Sequence, residues 1–272
     1  MNHQHTEQTS TMVEVNGLFS QTLLGIPFVV ALILYIIAFV VSRQRGREWP
    51  VYRSVFMLLG VFLALISVFG PLAVRAHMDF TYHMLGHLFL GMLAPLLIAL
   101  SAPMTLFLRA LSVKNAKRLT RILRLKVTGF FTDPIVASIL NIGGLWALYR
   151  TDLYMAMHES LLLHVFIHIH VFLAGYLFTI SLIYIDPVPH RRTFMYRTIV
   201  FIFALAFHGI LSKQIYAYPP DGVPTSEAQS GGMLMYYGGD LIDAVIIVIL
   251  FYQWYQSKVP RSTALQPSMV SS

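Results

Sequence analysis

Residues 22–42 read TLLGIPFVVALILYIIAFVVS, a run without one Asp, Glu, Lys or Arg. At about 1.5 Å of rise per residue, a helix of that length covers about 30 Å, the thickness of a bilayer's hydrocarbon core. This run therefore reads as a membrane-spanning helix. Similar apolar runs recur at 54–74, 82–108, 129–149, 160–184, 198–217 and 233–256. Composition agrees: of 272 residues, 57% are hydrophobic and 11% charged, with a mean hydropathy of +0.67. Soluble domains carry about 25% charged residues. A chain this poor in charge cannot coat a water-facing surface, so lipid must cover it. The expected fold is all-α, a polytopic membrane helical bundle of seven transmembrane helices. Its parts are an outer N-terminal tail, 1–21, expected to be flexible, a transmembrane domain, 22–256, and a C-terminal tail, 257–272.

Two segments break the pattern. The run at 82–108 is too long for an upright span. It holds Pro95 and ends in Ser101-Ala102-Pro103, which predicts a kink or an interfacial tail. The stretch 217–232, with Pro219, Pro220, Pro224 and Gly231-Gly232, reads as a loop.

Basic residues give the bundle a direction. Arg43, Arg45, Arg47 and Arg53 follow the first run. Seven more follow the third, between Arg109 and Lys126, and Arg191, Arg192 and Arg197 follow the fifth. Lys258 and Arg261 lie in the tail. The opposite side keeps only Arg75, Arg150 and Lys213 of the 19. Positively charged loops stay in the cytoplasm, so the C-terminus is expected inside and the N-terminus outside. Met1–Gln21 holds no Lys or Arg, unlike the start of a cleaved signal peptide, so the first span is expected to be retained. The segment 112–126 has a basic face beside Leu119, Ile122, Leu123 and Leu125. It reads equally as an amphipathic helix on the inner leaflet or as a solvated loop.

With direction fixed, the histidines fall into a pattern. Ionisable groups inside a membrane are costly, and each marks a candidate site. His83 and His87 open the third span at its outer end, and His164 and His168 lie in the outer half of the fifth. Each pair is spaced i,i+4, which leaves its members about 40° apart on one helix face. His208 lies near the middle of the sixth span, and His77 and His158 lie in or beside outer loops. His170 stands about 200° from His168 and points elsewhere. Two pairs on facing helices would put four imidazoles around one point, and neutral imidazole ligates Zn, Cu, Fe or Ni. A single histidine in an apolar helix is more often a hydrogen-bonded packing residue. Met78, Met84, Met92, Met155, Met157, Met233 and Met235 also fall towards the outer side. Thioethers favour Cu(I), although any one Met is more often core filler. Asp79, Asp152 and Glu159 sit near the same surface, either orienting histidines or solubilising loops. His3 and His5 on the N-terminal tail make a weak site.

Other chemistry is missing. His158-Glu159 lacks the second His of an H-E-x-x-H zinc site, and no phosphate-binding or dinucleotide fingerprint appears. Cysteine is absent, which excludes disulfides and thiolate ligands. Gly143-Gly144 and Gly231-Gly232 suit close helix approach.

The stretch His83-Met84-Leu85-Gly86-His87-Leu88, continuing through Met92-Leu93-Ala94-Pro95 to Ala102-Pro103, resembles the signature of the CtaG family, assembly factors for caa3-type cytochrome c oxidase. His164 to Tyr176 resembles the family's second histidine helix, as do His208-Gly209 and Gly231-Gly232-Met233-Leu234-Met235. The likeness covers roughly residues 20–256. One place departs from the family: an Asp-Gln pair before the last helix is replaced by Glu227-Ala228-Gln229-Ser230, and this segment stays outside the candidate site. The resemblance implies a multi-pass plasma-membrane protein, not an enzyme, that helps mature a haem–copper oxidase. Its expected partners are oxidase subunits and the lipid bilayer, not nucleic acid. The expected cargo is copper, held by His83, His87, His164, His168 and His208. Two alternatives stay open: a haem-binding membrane protein with axial histidines, and a metal-free assembly scaffold.

Overall fold

A computed structural model of the chain describes residues 2–258, with side chains from residue 17 onward. His3, His5 and Arg261 therefore lie outside the described side chains. The described residues are helical, with no strand among them. Helix α1 runs Asn2–Gln44, and its membrane-crossing part is Gly17–Gln44, so helical backbone occupies most of the stretch expected as a tail. Helix α2 spans Val51–Val68 and ends at Phe69-Gly70, where Gly70 takes φ +90° and a short α3, Pro71–Ala76, turns off.

The third span is where the sequence placed a kink. Helix α4, Phe80–Leu88, passes through a π turn, Phe89–Leu93, into α5, Ala94–Leu100. Pro95 explains the turn. Proline has no N–H, and its ring clashes with the carbonyl four residues back. The chain widens by one residue there, and Ala94 N–H donates to the Phe89 carbonyl five residues earlier. At Ala102 the backbone becomes left-handed, φ 52°, and α6, Pro103–Ala110, leaves the span as a separate piece. Helices α7, Val113–Leu123, and α8, Lys126–Phe131, follow with no buried residue. The basic segment is thus helical for most of its length.

The run expected at 129–149 is built from three short pieces: α9, Pro134–Ser138, a π turn, Ile139–Gly143, and α10, Gly144–Arg150. Asp133 caps its start, accepting from Ile135 N, and Pro134 sits at the first helical position. Then come α11, Leu153–Glu159, α12, Leu161–Leu182, α13, Phe194–Ala217, and α14, Thr225–Lys258. Among the described residues six helices are long and apolar enough to cross a membrane, rather than the seven expected, because the interrupted run 134–150 is too short to count. The segment 217–232 is only partly a loop. After Pro224 the chain is already helical, and Gly231 and Gly232 sit inside α14, pressed against Phe80 of α4 and the Ser212 carbonyl of α13.

Contacts between loops and helix ends tie the bundle together at both ends. Arg45 and Arg47 donate to the Arg109 carbonyl, joining the loops after α1 and after α6. Asp133 accepts from Arg192 at 2.7 Å, joining the starts of α9 and α13. At the other end Arg150 donates to the Tyr218 carbonyl and Glu227 accepts from Phe80 N. The helices pack by small residues rather than by hydrophobic exclusion, which lipid cannot supply. The tightest contact is Gly175 of α12 on Gly91 of the first π turn, where a Cβ on Gly175 would stand 1.9 Å from the Gly91 oxygen. Outward positions such as Ile26, Ile33, Phe166 and Val248 stay exposed, as a lipid-facing surface requires.

Candidate functional site

The start of α4 is pinned twice. Asp79 accepts from Thr81 N at 2.7 Å and from Tyr82 N at 3.4 Å. Glu227 of α14 accepts from Phe80 N at 2.8 Å. Asp79 is therefore a cap rather than a histidine's partner. Thus fixed, α4 turns His83 and His87 inward, 9% and 6% exposed. His83 Nε2 lies 3.0 Å from the Tyr149 hydroxyl, and its ring meets Tyr154 edge-on with centroids 5.1 Å apart. Both ring nitrogens of His87 are buried without a hydrogen-bond partner.

Helix α12 begins at Ser160, whose hydroxyl accepts from Leu163 N. One and two turns in, His164 and His168 lie with ring centroids 4.1 Å apart. His168 Nδ1 lies 2.9 Å from the His164 carbonyl, which makes it the donor and leaves Nε2 with its lone pair free. His164 Nδ1 has no partner. The segments just before α4 and α12 close over this pair. His77 stacks on His164 at 4.9 Å, and His158, held by the Tyr154 carbonyl at 2.9 Å, meets His77 edge-on at 5.9 Å.

The two pairs face one another. A cavity of about 20 Å³ is lined by His77, His83, His158, His164 and His168, with Gln21, Ser67 and Met157 also at its wall. A neighbouring cavity of about 30 Å³ shares His83 and His168 and adds His87 and Tyr149. These imidazoles share space but are not drawn tightly together: among the described residues no three of His, Cys, Asp and Glu stand close enough to hold a metal ion. Burial and the neighbouring His158 hold His77 below its ordinary pKa, and burial pushes the Tyr154 hydroxyl up to about 12. Neutral imidazoles keep a lone pair for a metal or for a hydrogen bond.

Two other histidines lie elsewhere. His170 Nε2 donates to the Leu140 carbonyl in the second π turn at 3.0 Å, as its angle on the helix implied. His208 is not part of this cluster. It faces α14 beside Gly239 and lines a separate, deeper cavity with Met92, Asn141 and Asp243. Sequence reasoning left out Tyr149, Tyr154, Glu227 and Asp243. Asp243, a carboxylate inside an apolar run, carried a signal in the sequence, and Glu227 lies in the segment set aside where the family pattern departs.

Residues 33–257 match the family described as "Cytochrome c oxidase caa3 assembly factor (Caa3_CtaG)". An uncharacterized protein of Mycobacterium leprae is 31% identical over 255 residues, covering 86% of this chain and 38% of the relative. Uncharacterized proteins of Mycobacterium bovis and Mycobacterium tuberculosis are each 34% identical over 257 residues, again 86% of this chain and 38% of theirs. The chain thus spans well under half the length of these relatives. No solved structure matches it.

Proposed function

Because this multi-pass membrane chain belongs to the cytochrome c oxidase caa3 assembly factor family, we propose that it is a non-enzymatic factor that carries copper to a caa3-type oxidase. His83, His87, His164 and His168 are the ligands, with His77 and His158 closing the outer end. The observation that carries this reading is the cavity walled by imidazoles from α4, α12 and the loops above them. Copper is the cargo here, and the donor chemistry suits it. Imidazole binds copper well, and an open set of neutral ligands releases an ion more readily than a closed thiolate cage. The imidazoles must close in by side-chain rotation to share an ion, and the unpartnered nitrogens of His87 and His164 leave them free to do so. The haem alternative finds less support, since cavities of about 20 and 30 Å³ hold no macrocycle.

We read the run 134–150 as a seventh crossing, because its two ends are tied to opposite ends of the bundle through Arg192 and Tyr218. With seven crossings and the basic loops on the cytoplasmic side, this reading has the C-terminus inside and the histidine cavity at the outer face.

The test replaces His83, His87, His164 and His168 together by Ala and measures copper content and activity of the oxidase in the same membranes. The expected result is an assembled but copper-poor, inactive oxidase, with the variant present at normal level. Full oxidase maturation in the quadruple variant sinks the copper reading and leaves the metal-free scaffold.

A further inference from the structure

Below the outer cluster a second set of polar side chains is closed inside the bundle. His208 of α13, Asp243 of α14, Asn141 and Met92 line one cavity of about 10 Å³. His208 is 3% exposed and Asp243 4%. His208 Nε2 has no hydrogen-bond partner, and among the described residues the Asp243 carboxylate enters no ion pair. A carboxylate left alone at this depth is strongly disfavoured. Asp240, three residues earlier, is exposed and does not line the cavity.

The backbone is shaped for this cavity. Met92 and Asn141 each come from a π turn, the two that interrupt the third span and the 134–150 run. Such turns add a residue and re-aim side chains, and they gather at functional sites. Gly239 makes the fourth wall close in. A Cβ there would stand 2.6 Å from His208 Cε1 and 3.6 Å from the Met92 methyl, so imidazole and thioether meet over one backbone position.

We propose that His208, Met92 and Asp243, with Asn141, form a second metal position, deep in the membrane, for a dehydrated cuprous ion. Imidazole and thioether are the donors that Cu(I) prefers. One carboxylate against one monovalent cation leaves no net charge in a low-dielectric interior, whereas a divalent ion leaves a surplus. The cavity has room for about one water, enough for a bare ion and too little for a hydrated one. The site stands on its own donors. Only the arrival of the ion through the outer histidines rests on the function proposed above.

The test uses the full chain in lipid nanodiscs, titrated with Cu(I) without oxygen against the chromogenic cuprous chelator bicinchoninate. Copper-edge X-ray absorption reads the neighbours of the bound ion. In a background carrying Ala at His83, His87, His164 and His168, one Cu(I) per chain is expected to remain, with a sulfur neighbour. Adding Met92→Leu, which conserves volume, is expected to remove the sulfur signal and weaken retention at least tenfold. Asp243→Asn is expected to weaken retention to a similar degree while the sulfur neighbour persists. The proposal is overturned if the quadruple background retains no Cu(I), or if Met92→Leu leaves both spectrum and retention unchanged. If the wild type and the quadruple background bind equal amounts, the deep site stands and the outer copper site falls.

Discussion

Gly175→Ala tests how the histidine cavity is held together. The added Cβ would stand 1.9 Å from the Gly91 oxygen and 2.9 Å from its carbonyl carbon, both backbone atoms of the first π turn. A carbon needs at least 3.0 Å from such an atom, so α12 must back away by about 1 Å. Overpacking of this kind costs about 1–3 kcal/mol. For a chain of this size, about 2–4 °C of thermal midpoint accompanies each kcal/mol. His168 lies seven residues before Gly175, two turns along and on nearly the same face. The shift therefore carries His168 away from His83 and His87. Ligand distances tolerate about 0.2 Å, so a 1 Å retreat removes His168 from a shared ion. The expected result in purified protein is a midpoint lowered by several degrees and the outer-histidine Cu(I), the ion the quadruple Ala variant lacks, held at least tenfold more weakly against a chelator. Gly25→Ala is the control, because its Cβ meets only Leu65 Cδ2, at 3.6 Å. A Gly175→Ala protein with wild-type midpoint and wild-type retention refutes the packing argument.

The chain has no cysteine, so an introduced one is its sole thiol. Ser160→Cys is expected to react with a membrane-impermeant maleimide added outside intact cells, and Ser112→Cys only after lysis; the reverse pattern overturns the orientation. Asp186 accepts from Met104 N, Thr105 N and the Thr105 hydroxyl, capping α6 from the loop after α12. Asp186→Asn loses at least one of these bonds and is expected to cost about 1–2 kcal/mol, read as a lower thermal midpoint. His77 is held below its ordinary pKa, mainly by burial. The folded protein then binds fewer protons than the unfolded chain below about pH 6.5, so stability falls as pH falls through that window. The thermal midpoint of the metal-free protein should drop between pH 7 and 5, and drop less in His77→Phe.

Charge-free apolar runs placed most of the helices, because in lipid every backbone polar group must be satisfied within its own helix. Pro95 marked the kink, and its missing N–H became a π turn. Two places differ in detail from the sequence reading. Gly231 and Gly232 look like loop residues in isolation, yet they lie inside α14 because Phe80, Met84 and Ser212 crowd that face and leave space for hydrogen only. The run at 129–149 looks continuous, yet Asp133-Pro134 starts it late and a π turn interrupts it. The glycine packing and the π turn depend on neighbours far away in sequence, while the late start is set locally by Asp133-Pro134. The site divides likewise. The i,i+4 spacing shows that each pair shares a face, a local property. That the faces oppose one another, and that His208 instead lines a separate cavity with Asp243, depends on how α4, α12, α13 and α14 pack.

The second π turn has a cause that can be removed. The Leu140 carbonyl inside it is taken by His170 Nε2 from α12, and Gly144 leaves the room, since a Cβ there would stand 2.6 Å from that nitrogen. A side chain that claims a helix carbonyl competes with the helix's own ladder and opens it locally. His170→Leu leaves that carbonyl without its donor, at a cost of about 1–3 kcal/mol. The turn can then close towards a regular helix, which rotates Asn141 off the deep cavity. His170→Gln keeps an N–H donor and should hold the turn open. The expected outcome is weakened Cu(I) retention in the outer-histidine quadruple background for His170→Leu, with recovery for His170→Gln. If both substitutions leave retention unchanged, the π turn is a packing accident with no bearing on the deep site. Two independent constraints, a proline in one helix and a borrowed carbonyl in another, deliver their widened turns to one cavity, and coincidence accounts for that poorly.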